Sequence, residues 1–197
     1  ISAVKMRKAV SSVLAIRPYA KSALRLLRQL NVAVANNEHL LLRERPIRRE
    51  LYVVVASNRG LCGAFNSQIV KRLLSVLKED TGREHCFITI GKKSDMAARR
   101  FGWDVIASFS DVLSLPTVES MRPITKIIID EFESGRVDRV VMVYMDYISV
   151  LKQIVKVRGL LPVSIKDTEK ALNEMDGAVS DEERDLTSQS ESAIFGQ

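Results

Sequence analysis

The sequence has few of the residues that would place it among secreted, metal-binding or membrane-spanning proteins. Its 197 residues include only two cysteines, Cys62 and Cys86, and only two histidines. Two cysteines are too few for a disulfide framework, and two cysteines with two histidines disfavour a metal site. No Asn-x-Ser/Thr acceptor is present, and no uncharged apolar run approaches the roughly 18 residues that a membrane-spanning helix requires. We therefore expect free thiols in a reducing compartment and no metal site.

Charge is distributed unevenly along the chain. Residues 1–50 contain eleven Lys and Arg against three Asp and Glu, whereas residues 166–197 contain three against nine. A basic first segment favours an acidic partner, which can be nucleic acid, a lipid headgroup or a protein surface. Tyr19 is the only aromatic residue in that segment, and single-strand binding normally uses several. We therefore predict a protein partner and no nucleic acid.

Residues 1–37 predict one long helix, because they contain no glycine, a single proline and mostly strong helix formers. Within them, residues at alternating steps of three and four form the seam of a coiled-coil-type helix. The seam consists of Val10, Val13, Arg17, Ala20, Leu24, Leu27, Asn31 and Val34. It needs a second helix as its partner. The charged stretch 38–50, with Pro46, predicts a connection.

Strand and helix patterns alternate over residues 51–165. The apolar run 51–56 is typical of a parallel strand that is buried on both faces. Further strands are predicted at 86–90, 103–109 and 137–147, with an antiparallel edge strand within 150–163, and helices at 65–78, 94–101 and 117–134. This order predicts an α/β fold with a Rossmann-like, mostly parallel sheet and flanking helices. The acidic, polar residues 166–197 predict a poorly ordered tail.

The turn after the first predicted strand, residues 57–63, lies where a doubly wound fold places a phosphate loop. It lacks both the Lys-Ser/Thr of a P-loop and the three-glycine spacing of a dinucleotide fingerprint. We favour a structural turn, in which Gly60 and Gly63 permit positive φ or close backbone approach and Cys62 is a structural thiol. A small-molecule or nucleotide-binding Rossmann-like domain remains the alternative.

Catalytic constellations are not evident in the sequence. Neither histidine has a spacing from Cys62 that matches a cysteine-nucleophile signature, and the acids are scattered without an obvious general acid/base pair. The stretch Gly91-Lys92-Lys93-Ser94 has the end of a P-loop but no glycine five residues earlier. We therefore predict that the chain is not an enzyme and that it binds no cofactor.

The turn also carries a family resemblance. Ser57-Asn-Arg-Gly-Leu-Cys-Gly-Ala-Phe-Asn66 resembles the Asp-Arg-Gly-Leu-Cys-Gly motif of the gamma subunit of F-type ATP synthase, with Asn58 in place of the aspartate. Other blocks of that family are matched in order and at plausible spacing. They are residues 5–8 followed by 17–20, residues 90–93, and residues 134–135 followed by 141–149 and Lys152. The resemblance covers residues 1–165.

This resemblance implies a shaft helix over 1–37 and a Rossmann-like foot domain over 51–165. It implies a non-catalytic central-stalk rotor of the F1 sector, which transmits torque between the membrane c-ring and the alpha and beta subunits. Ion flow would thereby be coupled to ATP synthesis or hydrolysis. The implied partners are the alpha, beta and epsilon subunits and the c-ring, with membrane contact only through the complex. The implied location is the cytoplasmic, matrix or stromal face of an energy-transducing membrane, and we expect a bacterial plasma membrane.

The resemblance further implies which residues contact the beta subunit. Carried over by position, Arg59 and Lys71 would approach an acidic loop of that subunit. Lys5, Arg7 and Lys8 on the shaft helix are further candidates for the same interface. Since the family's shaft is completed by a C-terminal helix that would follow Gln197, we expect this sequence to be a piece of a longer shaft protein.

Overall fold

A computed structural model describes residues 2–33, 39–80, 82–110, 117–149 and 152–174. The chain divides into two compact units. One contains Ile1–Asn36 together with Ser164–Gln197, and the other contains Asn37–Val163. Among the described residues, no helix combines the length and apolar character needed to cross a bilayer.

The first unit is built around helix α1, Ser2–Ala33, which continues through Pro18. None of its described side chains is fully buried, and the seam residues Val10, Ala20 and Leu24 are half-buried. The long N-terminal helix is therefore present, although residues 34–38 lie outside the described part of the chain. Its pairing in a coiled coil remains a prediction.

The first unit also contains helical residues 165–174, which we label α5. The hydroxyl of Ser164 accepts the backbone N–H of Asp167 at 3.0 Å and so caps the start of this helix. Thr168, Ala171 and Leu172 are buried. The beginning of the segment expected to be a poorly ordered acidic tail is thus helical, because a cap and the apolar side chains of Ala171 and Leu172 give it a buried face. Residues 175–197 lie outside the described residues.

The second unit contains a five-stranded sheet whose order is β3-β2-β1-β4-β5. The strands are β1 Arg49–Val55, β2 Glu84–Ile90, β3 Val105–Phe109, β4 Arg139–Tyr147 and β5 Gln153–Leu161. The first four are parallel, and β5 pairs antiparallel to β4 at one edge. The predicted mostly parallel sheet with an antiparallel edge strand is confirmed.

Three helices connect the parallel strands: α2 Phe65–Glu79, α3 Lys92–Phe101 and α4 Val118–Glu133. Ile69 and Leu73 of α2 pack with Tyr52, Val54 and Phe87 in one apolar cluster. Ile124, Ile128 and Phe132 of α4 pack in a second cluster with Leu51, Val53 and Ile88. Because side chains alternate along β1, these clusters lie on opposite faces of the sheet. Helix α3 contacts β2, β3 and α2, so α2 and α3 lie on the same face.

The predicted connection 38–50 is more ordered than its composition suggests. It contains a short 3-10 helix, Leu40–Leu42, and its last two residues already belong to β1. Arg45 stacks over the Phe132 ring, with 4.4 Å from its guanidinium carbon to the ring centre, and donates to the Val137 carbonyl at 2.9 Å. This segment therefore packs on the foot domain.

Candidate functional site

The turn between β1 and α2 is closed by the side chain of Asn66, near the start of α2. Its Oδ1 accepts the backbone N–H of Ser57 at 3.0 Å, and its Nδ2 donates to Cys62 Sγ at 3.0 Å. Within the turn, Ser57 Oγ donates to the carbonyl of Arg59 at 2.6 Å. One amide side chain thus holds both ends of an exposed turn in a single arrangement.

Two residues of the turn have left-handed backbone, Leu61 with φ 61° and Gly63 with φ 56°. Glycine adopts this conformation without steric cost, whereas leucine is strained in it by about 1 kcal/mol. The Leu61 side chain is fully exposed. Gly60 has no positive φ, and a Cβ there would make only an ordinary contact, 3.8 Å from Lys93 Cε. The conformational requirement for glycine is therefore at position 63.

The turn is also joined to the start of α3. Asn58 Oδ1 accepts the backbone N–H of Lys92 at 3.0 Å, and the carbonyl of Ser57 accepts that of Lys93 at 3.0 Å. Phosphate binding at this edge of a parallel sheet depends on free N–H groups at a helix N-terminus. The first two N–H groups of α3 are therefore paired within the protein, whereas the nucleotide-binding alternative concerns the turn and α2, the helix that follows it.

The predicted interface residues occupy several elements. Arg59 is exposed in the turn, and Lys71 is exposed on α2. Lys8 is exposed on α1, while the side chains of Lys5 and Arg7, also on α1, lie outside the described residues. The structure therefore leaves Arg59, Lys71 and Lys8 accessible to a partner, and their contact with a beta subunit remains a prediction.

A groove of about 660 Å³ runs between α2 and α3, and we call it the α2–α3 groove. Among the described residues, its lining includes four basic residues, Lys71, Lys78, Lys93 and Arg100, and no Asp or Glu. The apolar part of the lining consists of Val70, Leu74, Met96, Ala97 and Phe101. The groove thus combines an apolar floor with positive charge, and it contains Lys71 of the predicted interface but not Arg59.

A buried carboxylate, Glu50, lies at the other end of the parallel strands, near the start of β1. It is 1% exposed, and its Oε2 accepts the hydroxyl of Tyr52 at 2.7 Å. Arg83 Nη1 lies 3.4 Å and Arg139 Nη1 3.5 Å from Glu50 Oε1. Arg83 also pairs with Asp80. The two arginines offset the cost of burying this charge.

The pKa values of the two carboxyl groups in this cluster shift in opposite directions. Burial raises the pKa of Glu50 above its ordinary value, and a hydrogen bond to Asp80 raises it further. Burial alone would raise the pKa of Asp80, but the hydrogen bond from Glu50 and the charge of Arg83 hold it below its ordinary value. Burial also raises the pKa of the Tyr52 hydroxyl. The pKa of Glu50 is thus shifted upward and that of its neighbour Asp80 downward.

Glu50, Asp80 and His85 place one potential metal-ligand atom each within 4.8 Å of one another. His85 Nε2 lies 3.7 Å from Asp80 Oδ2 and has no hydrogen-bond partner. Arg83 and Arg139 already neutralise the carboxylates, however. A divalent cation would have to bind beside two guanidinium groups, so the cluster fits an internal ion-pair network better than a metal centre.

Sequence reasoning did not find the α2–α3 groove or the Glu50 cluster. The groove had a local signal, because Lys71 and Lys78 on α2, and Lys93 and Arg100 on α3, are each seven residues apart and so share a helix face. The Glu50 cluster had none, because Arg83 and Arg139 are distant in sequence and nothing next to Glu50 indicates that they pair with it.

Comparison with known proteins identifies similar sequences along almost the entire chain. A sequence model described as ATP synthase matches residues 1–195. A curated protein of Stenotrophomonas maltophilia, the ATP synthase gamma chain, is 31% identical over 89% of this chain and 62% of its own length. The ATP synthase gamma chain of Pelotomaculum thermopropionicum is 32% identical over 86% of this chain and 59% of its own length. This chain thus spans about three fifths of these relatives.

Solved structures also contain a similar chain. The central stalk and c-ring structure of the Tetrahymena thermophila mitochondrial ATP synthase includes a chain that is 20% identical. The alignment has a TM-score of 0.49 and covers 90% of this chain and 88% of that one.

Proposed function

We propose that this chain, which belongs to the ATP synthase family and is a relative of its gamma chains, is a central-stalk rotor subunit of the F1 sector. The observation that carries the proposal is the family match over residues 1–195, which includes both α1 and the whole sheet domain. The subunit would transmit torque between the membrane c-ring and the alpha and beta subunits. Ion flow would in this way be coupled to ATP synthesis or hydrolysis.

The properties of α1 support a shaft. Besides the seam, which is half-buried at Val10, Ala20 and Leu24 but exposed at Val13 and Leu27, a second set of residues follows the same alternating steps of three and four. This set consists of Ile16, Tyr19, Ala23, Leu26 and Leu30. The four large side chains of this set are between 57% and 76% exposed. A helix that is apolar on two faces is stable in water only where more than one neighbour covers it. A shaft helix surrounded by other subunits meets that condition.

The subunit would contribute no catalytic group. A rotor affects reaction at sites it does not form, because its orientation favours one conformation of each catalytic subunit over another. The turn residues and the α2–α3 groove provide basic, exposed side chains for contact and no acid/base pair for chemistry. As such a rotor, the chain would associate with the F1 sector and the c-ring. Arg59 and Lys71 would contact an acidic loop of the beta subunit, and the subunit would lie peripherally on an energy-transducing membrane.

Reconstitution tests the proposal. Alpha and beta subunits are assembled with and without the chain, and ATP turnover and co-purification are measured. We expect the chain to co-purify with the alpha and beta subunits and to change their turnover. Unchanged ATP turnover together with no co-purification would contradict the proposal.

A charge-reversal arm tests the interface residues. The double variant Arg59→Glu, Lys71→Glu is compared with Arg122→Glu, Lys126→Glu, which changes two exposed cations on α4, on the opposite face of the sheet. If Arg59 and Lys71 meet an acidic surface, the first pair lowers assembly or coupling more than the second, and more so at low salt. Equal effects would argue against this interface.

A further inference from the structure

We propose that the α2–α3 groove is a docking site for an acidic, amphipathic helix of a partner protein. The proposal deepens the proposed function and rests on it for the existence of protein partners. It concerns the whole groove, whereas Lys71 is the only one of its lining residues that the family resemblance assigned to an interface. It also specifies the partner's chemistry: a helix with one apolar face and acidic residues beside that face.

The charges of the groove are available to a partner. Lys71, Lys78 and Arg100 are exposed, and Lys93 is partly exposed. Within the described ranges, none of these four cations forms a salt bridge to an acidic side chain. This contrasts with Arg83, Arg99 and Arg136, each of which is paired with an acid. Four like charges around one groove repel each other, and an acidic partner would relieve that repulsion.

The floor of the groove supplies the apolar contact. Met96 is 57% exposed and Phe101 is 44% exposed, although both lie against the α2–α3 contact. Methionine, aromatic and arginine side chains are the types enriched where protein partners dock. Phe101 also stacks with Trp103, whose ring centre is 5.7 Å away, and Trp103 stacks in turn on buried Phe87 at 4.8 Å. The exposed end of the floor is therefore anchored to the core.

The shape of the groove favours a helix as the occupant. Its walls are two helices that each present cations seven residues apart, Lys71 and Lys78 on one side and Lys93 and Arg100 on the other. A helix lying between them would place apolar residues at i, i+4 and i+7 on the floor and acids on its two flanks, opposite the two cation rows. A lipid surface would need a convex apolar face, and nucleic acid would favour stacking aromatics in place of an apolar floor.

The test uses the chain itself and the fluorescence of Trp103, its only tryptophan. The probe is a synthetic peptide of about 15 residues, which as a helix matches the ~22 Å length of α2. It carries leucine at i, i+4 and i+7 and glutamate on both flanks. We expect a saturable change in Trp103 emission, because an occupant that contacts Phe101 alters the stack on Trp103. A peptide of the same composition in scrambled order should bind at least about tenfold more weakly.

Variants locate the binding. Lys78→Glu combined with Lys93→Glu reverses one cation on each wall and should weaken binding by about tenfold or more. The matched control, Arg122→Glu with Lys126→Glu, changes two exposed cations on α4 and should leave binding unchanged. A second variant, Met96→Ser, removes floor contact without altering charge and should also weaken binding.

Three results would overturn the proposal: no saturable response, equal weakening by both charge pairs, or tighter binding to phosphatidylglycerol vesicles or to a single-stranded oligonucleotide than to the peptide. Because this assay contains neither alpha nor beta subunits, its outcome is independent of the reconstitution result. The peptide assay can therefore contradict the docking site without contradicting the rotor assignment, and the reconstitution can contradict the rotor assignment without contradicting the docking site.

Discussion

Asp138 links the segment before β1 to the start of β4. Its Oδ2 accepts the backbone N–H groups of Arg48 at 2.9 Å and Arg49 at 3.1 Å, and Arg45 Nε lies 3.4 Å from its Oδ1. The carboxylate is buried. Burial alone would raise its pKa, but the two backbone hydrogen bonds and the charge of Arg45 hold the pKa of Asp138 below its ordinary value.

The variant Asp138→Ala should lower the free energy of unfolding at pH 7 by about 2 to 4 kcal/mol, because it leaves two backbone N–H groups without an acceptor and removes the negative charge beside Arg45. A depressed folded pKa means that this stabilisation is present above the unfolded value, about 3.9, and is lost as pH falls through the folded value. Urea unfolding at several pH values should therefore show the wild type and the variant converging below about pH 4.

Asp130→Ala is the matched control, since Asp130 is exposed on α4. It should change the free energy of unfolding by less than about 0.5 kcal/mol. A constant difference between wild type and Asp138→Ala from pH 7 to pH 3 would contradict the role of the ionised carboxylate.

Asn58 illustrates a residue whose function the motif alone did not reveal. The sequence marked it only as a departure from the family's aspartate, whereas the structure shows its Oδ1 capping α3 from another loop. Asn58→Ala should destabilise the chain by about 1 kcal/mol through the lost cap. Asn58→Asp keeps the acceptor and places a negative charge at a helix N-terminus, so stability should be equal or higher. Thermal unfolding of both variants checks this order, and an alanine variant as stable as the aspartate variant would contradict it.

At the level of elements, the sequence predicted the order and type of the five strands and the helices α1 to α4. It succeeded because apolar periodicity is a local property that each segment carries by itself. It missed the first residues of β1, because Glu50 is charged and was therefore assigned to the connection. Whether such a residue is buried depends on Tyr52, Arg83 and Arg139, and the two arginines come from distant segments.

Helix α1 shows the same limit in another form. The spacing predicted one apolar seam, but the exposed residues Ile16, Tyr19, Leu26 and Leu30 form a second one with equal regularity. A heptad register identifies only the helix face that contains its starting residue. A second apolar face on the same helix is therefore missed when only one register is examined. The α2–α3 groove was not predicted for a related reason. It is formed by the faces of two helices, and the pattern of each helix does not show that the two faces lie side by side.

Substitution of Pro18 measures how much this proline destabilises α1. A proline within a helix removes one main-chain hydrogen bond and usually costs about 3 kcal/mol. Pro18 is exposed in a helix that continues on both sides of it. Pro18→Ala should therefore increase the helical content and raise the thermal midpoint of the α1 signal in circular dichroism. Ser22→Ala, at another exposed position of α1, should have a smaller effect, and equal effects would show that Pro18 imposes no cost.

For the whole molecule, the two large apolar clusters both belong to one of the two compact units. Both large apolar clusters consist of residues between Leu41 and Val163. The predicted foot domain, 51–165, omitted the preceding segment, in which Arg45 contacts Val137 and Glu50 contacts Arg83 and Arg139, all distant in sequence. The compact unit Asn37–Val163 is accordingly larger at its N-terminal end than sequence periodicity indicated.

A chain restricted to residues 37–163 should fold by itself, because it retains both apolar clusters and all five strands. We expect cooperative thermal unfolding with a midpoint within roughly 5 °C of the sheet-domain transition in the full chain. Residues 37–147 serve as the control. Without β5 this shorter fragment loses Leu161 from one cluster and Val155 and Val157 from the other, so it should unfold at a clearly lower temperature or bind a hydrophobic dye. Dye binding by the 37–163 fragment, or a broad transition, would show that its core needs residues outside this range.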